Sequence, residues 1–114
     1  MLSSRYRLQK KKDIDRVFRK GKSFREDSLV LKTTKNDLGF SRFGFVVSQK
    51  VAKKASVRNK IKRRLREAVK LKIKQLGVEA DNLFIALRGI EGRDFKGIDE
   101  SVEALFKKAK IYAQ

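Results

Sequence analysis

The chain has no cysteine, no histidine and no proline among its 114 residues. Without cysteine, neither disulfides nor thiolate metal sites can form. Without histidine, the commonest general base and metal ligand near neutral pH is missing. Without proline, glycine is left to make most of the turns. No segment approaches the roughly 20 apolar residues that a spanning helix requires. The N-terminus lacks the apolar core of a signal peptide. A soluble, cytoplasmic protein is expected, with neither a membrane nor a small-molecule substrate as partner.

Acidic residues are scarce as well. Thirty-one Lys and Arg face 13 Asp and Glu, a net charge of +18. Screening acts over roughly 8 Å at physiological ionic strength, so clustering matters more than the total. Residues 1–22 carry +7, 23–49 carry +1, 50–74 carry +11 and 75–114 carry −1. The positive field therefore comes from two blocks, and a phosphate-rich partner is the first inference. The length suits one domain, 1–114, with a core that needs no staples.

The strongest feature is Lys50 to Lys74, with twelve Lys or Arg against a single acid, Glu67. A solvated tail of that charge would not keep apolar residues at Val57, Ile61, Leu65, Ala68 and Val69. This spacing predicts a helix from Val57 to Leu76 with one face in a core. Gly77 is expected to close it in the left-handed conformation, as Gly21 closes a short helix over Asp13–Lys20. Strands are expected at Leu29–Thr34, Phe43–Val47 and Asn82–Leu87, with a turn at Asn36-Asp37 and Gly39. A last helix is predicted from Ile98 to Tyr112, its stripe formed by Ile98, Val102, Leu105, Phe106, Ala109 and Tyr112. Asp99, Glu100 and Glu103 then fall in its first turns, where the dipole favours them. The order implies an α+β sandwich with a crossover in mid-chain.

On a wheel at 100° per residue, Val57, Ile61, Leu65, Ala68, Val69, Leu71 and Leu76 share a sector of about 160°. Opposite them, Asn59, Lys62, Arg63, Arg66 and Lys70 fall within about 100°. Arg58 and Arg64 project from the edges. A basic helix face is often only solvated. Here the single acid leaves few i,i+4 pairs to offset repulsion, and arginine suits bidentate phosphate contacts. Asn59 reads either as an N-terminal cap or first-turn residue of the helix or as a contact to a base edge or ribose hydroxyl.

Hydrolytic chemistry by the chain itself has little to work with. The carboxylate groups Asp13 with Asp15, and Asp99 with Glu100 and Glu103, sit near helix starts, where capping and dipole effects explain them. No catalytic residue and no metal ligand is assigned. A partner is expected to do any chemistry.

The segment Ala55-Ser56-Val57-Arg58-Asn59-Lys60-Ile61-Lys62-Arg63-Arg64-Leu65-Arg66-Glu67 closely resembles the signature of the protein subunit of bacterial ribonuclease P. So do Arg5 to Leu8, Phe18 to Ser23, Arg42-Phe43-Gly44 and Ser48-Gln49-Lys50, over nearly the whole chain. The resemblance implies an α-β-β-β-α-β-α order, a four-stranded mixed sheet and a left-handed βαβ crossover. It implies a protein that does not cleave but assists a catalytic RNA, which removes the 5′ leader of precursor tRNA with Mg2+ held by the RNA. It places Arg58, Asn59, Lys60, Lys62, Arg63 and Arg66 against that RNA, and the wheel adds Lys70. It places Ile14, Phe18, Lys32, Ser48, Lys50 and Lys53 in a cleft for the leader.

Ile14 and Lys32 stand where relatives often carry aromatic rings, so leader contact here leans on charge and on Phe18. Gln49 and Ala52 replace a frequent lysine and a frequent glycine. A ribosomal or other structural RNA-binding protein would share the charge and fold class, and only the extended motif separates the two readings. A DNA-binding module lacks the short helix–turn–helix spacing around residues 57–76.

Overall fold

In a computed structural model, residues 3–113 are described. Three helices, α1 (Lys11–Lys20), α2 (Ala55–Lys72) and α3 (Phe95–Lys108), enclose one sheet. Its strands are β1 (Lys22–Glu26), β2 (Leu29–Lys35), β3 (Arg42–Val46) and β4 (Ala80–Ala86), in the order β1-β2-β4-β3. β1 pairs antiparallel with β2, β2 antiparallel with β4, and β3 parallel with β4. The sheet is therefore mixed, and α2 is the crossover joining its parallel pair. The α-β-β-β-α-β-α order is the one expected.

Side chains alternate across the sheet and divide it into two faces. On one face, Leu29, Leu31, Phe43, Phe84 and Ala86 meet Ile61, Leu65, Ala68 and Val69 of α2 and Ile98, Val102, Leu105 and Phe106 of α3. Phe106 is the hub of this main core. Its ring lies 6.3 Å from Phe43, 5.6 Å from Phe84 and 5.7 Å from Tyr112, all edge-on, the arrangement the ring quadrupole prefers. The other face is covered only in part. There Val17 of α1, Leu83 and Leu8 form a smaller buried cluster, with Ile14, Val46 and Ile85 at its margin.

Several expectations are corrected. The residue pattern places no strand at Lys22–Glu26 because Phe24 is its only apolar residue; it pairs along the sheet edge, where polar residues are tolerated, and supplies the third strand before α2 that the implied order requires. Gly21 is extended (φ −72°, ψ 147°), not left-handed. It is needed for space, since a Cβ there would stand 2.5 Å from the Val17 carbonyl oxygen. Gly77 has no positive φ either, and a Cβ would sit 2.7 Å from Ala113 Cα.

α2 ends at Lys72 and gives way to a single 3-10 turn, Ile73–Gln75, so Leu76 lies beyond the helix. Leu71, placed in the apolar sector by the wheel, is 62% exposed. Lys72 takes the buried place, donating to the Ala68 carbonyl at 3.2 Å and pairing with Asp99. The wheel angle of residue 72 is near the centre of that sector, so geometry outranks charge here.

α3 starts at Phe95, with Asp94 as its N-cap accepting from the Gly97 amide at 2.9 Å. Asp99, Glu100 and Glu103 consequently fall beyond the first turn. The helix stops at Lys108, which leaves Ala109 and Tyr112 outside it. Lys110 adopts φ 57°, and the amides of Lys110 and Ile111 return to the carbonyls of Lys107 and Phe106. This is a Schellman closure with lysine where glycine is usual. Tyr112 then bridges to Leu76 and donates to Glu103 at 2.6 Å.

Candidate nucleic-acid interface

α2 begins without a side-chain cap and with no acid in its first turn. Its positive end is therefore left uncompensated, next to a run of cations. Asn59 is the fifth residue of the helix and exposed, so the capping reading is excluded by position. Lys60, Arg63 and Lys70 are also exposed, and Lys62 and Arg66 are half-buried. Arg58 turns back: its Nη1 donates to the carbonyls of Ala52 at 2.9 Å and Lys53 at 2.7 Å, clasping the crossover loop. Arg64 donates to the Arg93 carbonyl at 2.8 Å. Among the described residues, Lys72 is the only cation of α2 in an ion pair. The outer stripe from Asn59 to Lys70 thus presents charge with no internal partner, as a docking surface for a polyanion does.

The partly covered face of the sheet forms the second element. α1 is fastened across one end of it by an ionic latch. Asp81, fully buried, accepts from Arg42 Nε at 2.9 Å and Nη2 at 2.8 Å, from Arg16 at 2.5 Å and from Asn36 at 2.8 Å. Arg42 also reaches Asp13 of α1 at 3.2 Å. Burial alone would raise the Asp81 carboxyl, but the Arg42, Asn36 and Arg16 donors hold it below its ordinary value. The bond to Asp81 raises Arg42 in turn, against the opposing effect of burial. Each oxygen of Asp81 already accepts two bonds, so this carboxylate does not fit Mg2+.

Beside the latched helix, Ile14 packs at the edge of the small cluster and Phe18 is 43% exposed. Lys32 holds its ammonium 5.5 Å from the centre of the Phe18 ring, a cation–π contact that takes the place of ring-on-ring stacking. Ser48, Lys50 and Lys53 are all exposed and lie apart from these three, in the crossover loop. Lys50 and Lys53, with Arg88, line a separate hollow of about 710 Å3.

Between the two groups runs a row the sequence reading missed. Val46, Ile85 and Val30 are successive cross-strand partners and are half-buried, and Arg25 ends the row on β1. The signal was present in strand alternation: once Leu29 and Leu31 face the main core, Val30 and Lys32 must face α1. A floor of half-buried apolar side chains ending on a cation, Arg25, suits single-stranded nucleic acid, bases inward and phosphates at the rim.

Fold and surface together define a small α+β RNA-binding protein whose charge is arranged for docking. The family described as Ribonuclease P matches residues 2–110. A ribonuclease P protein component from Clostridium botulinum (strain 657 / Type Ba4) is 38% identical over 107 residues, 93% of this chain and 96% of the relative. The solved Staphylococcus aureus RNase P protein superposes with a TM-score of 0.87 at 32% identity, covering 95% of this chain and 98% of that one. The Thermotoga maritima RNase P protein gives 0.81 at 30% identity, covering 90% and 96%. The chain belongs to the bacterial ribonuclease P protein component family. It is a subunit of a ribonucleoprotein endoribonuclease of tRNA processing, and the reading as a ribosomal protein falls away.

Proposed function

We propose that the outer stripe of α2 docks on the catalytic RNA of ribonuclease P and that the face beside α1 holds the 5′ leader of precursor tRNA. The observation that carries the first half is the stripe of unpaired cations Lys60, Lys62, Arg63, Arg66 and Lys70 with the amide of Asn59 beside them, and Arg58 serves by fixing the loop at its start. The second half is supported by the Val46–Ile85–Val30 floor, flanked by Phe18 and Lys32 on one side and Ser48, Lys50 and Lys53 on the other. Hydrolysis belongs to the RNA and the Mg2+ it holds. This chain contributes affinity and position, in the cytoplasm.

The test is reconstitution with a bacterial ribonuclease P RNA at low Mg2+. Cleavage of precursor tRNA should rise on adding the protein, and a leader several nucleotides long should improve binding over leaderless tRNA. Arg63→Ala or Arg66→Ala should weaken binding to the RNA and lower the salt slope by about 1 each if each side chain meets a phosphate. An unchanged slope would mean that the stripe is only solvated.

A further inference from the structure

A groove of about 790 Å3 lies on the main-core face of the sheet, beyond the end of α3. Phe24, Val78 and Ile111 form its apolar floor, and Lys20, Lys22, Lys35, Lys108 and Lys110 stand around it. No carboxylate among the described residues lines it. Lys108 is offset by Glu26 at 2.6 Å. The other four lysines pair with no carboxylate among the described residues. Like charges gathered around a concavity repel one another unless an anion joins them. Lys110 adds a second sign. It is held at φ 57°, in the Schellman position that favours glycine, and a charge kept at a conformational cost points to a use.

The position of the groove identifies the anion. One end of the leader cleft is the crossover loop, whose Lys53 carbonyl is clasped by Arg58 of the basic helix. The other end is the edge strand β1, beside Phe18 and Lys32. α1 ends there at Lys20, two residues after Phe18, and Lys22 opens β1 opposite Thr33, itself a groove residue. A strand leaving the cleft at this edge meets Lys20 and Lys22 first and then the groove behind them. We propose that the groove binds the phosphates of the leader 5′ to the segment in the cleft, so that longer leaders are held more tightly. This rests on the leader reading of the cleft.

The experiment measures holoenzyme affinity for one precursor tRNA with no leader, a leader of about five nucleotides and one of about fifteen, lengths spanning single-strand site sizes. The wild type should bind the longest most tightly. Lys22→Ala/Lys35→Ala/Lys110→Ala should abolish that last gain, about five- to tenfold, and lower the salt slope for the long leader by about two. Binding of the five-nucleotide leader should be unchanged, which also reports an intact fold. Lys110→Gly relieves the backbone while removing charge, and should weaken long-leader binding without lowering the melting temperature. Equal loss on both leaders, no loss on either, or a wild type indifferent to the longer leader overturns the proposal. The comparison of no leader with five nucleotides judges the cleft separately.

Discussion

Replacing Asp81 by Asn should loosen α1 from the sheet at a large cost in stability. The carboxylate is fully buried and accepts four bonds, two from Arg42 and one each from Arg16 and Asn36. An amide keeps the shape but turns one oxygen into a donor facing a guanidinium. Arg42, with only 17% of its side chain exposed, keeps Asp13 as its one carboxylate partner. Breaking a buried pair from one side costs about 3–5 kcal/mol. For a chain of this length that corresponds to a fall of about 12–20 °C in melting temperature.

Urea and thermal melts would measure the loss, and a cycle with Arg42→Gln should show strong non-additivity. Since the folded state holds this carboxyl below its unfolded value of about 4, the latch acts fully above that pH and fades as pH falls through the folded value. Wild-type stability should therefore drop below about pH 4 more steeply than that of the variant. Leader binding in the holoenzyme should weaken while affinity for the catalytic RNA holds. A loss under about 1 kcal/mol, additive with Arg42→Gln, would refute the latch.

Two further substitutions probe the main core and the inner side of α2. Phe106→Ala removes a ring that touches Phe43, Phe84 and Tyr112, and should cost about 3–5 kcal/mol in a urea melt. Lys72→Met keeps the buried stem and frees Asp99, whose side chain is 32% exposed, to water. It should cost less than about 1.5 kcal/mol and leave the salt slope of RNA binding unchanged. A slope lowered as much as by Arg66→Ala would place Lys72 on the RNA side instead.

Periodicity carried most of the fold into view because burial is what it records. α1, α2, β2, β3 and β4 stand within a few residues of their expected places, each with apolar residues at the spacing its core face requires. β1 was illegible for the same reason. As an edge strand it buries little beyond Phe24, and its partner is the backbone of β2, which no side-chain pattern announces. The glycines misled through an analogy. Gly21 and Gly77 do stand just past helical segments, but what they supply is space: a Cβ at Gly21 would meet the Val17 carbonyl of its own helix at 2.5 Å, and one at Gly77 the backbone of Ala113 at 2.7 Å. The residue that takes the left-handed turn after α3 is Lys110, where composition offers no hint.

The site divides along the same line. A wheel locates the outer stripe of α2 because one helix contains it. The face proposed for the leader assembles α1, three strands and a loop, and its floor emerges only once the register pairs Val46 with Ile85 and Ile85 with Val30. Charge is the feature the sequence overstates. Of the twelve cations from Lys50 to Lys74, Arg58 and Arg64 are spent on backbone carbonyls and Lys72 on Asp99. Those three hold the loop, the start of α3 and the helix pair against which the remainder is aligned. What distinguishes the block from a basic tail is therefore these inward-turned cations, because they fix the geometry in which the outward ones can select one RNA surface over another.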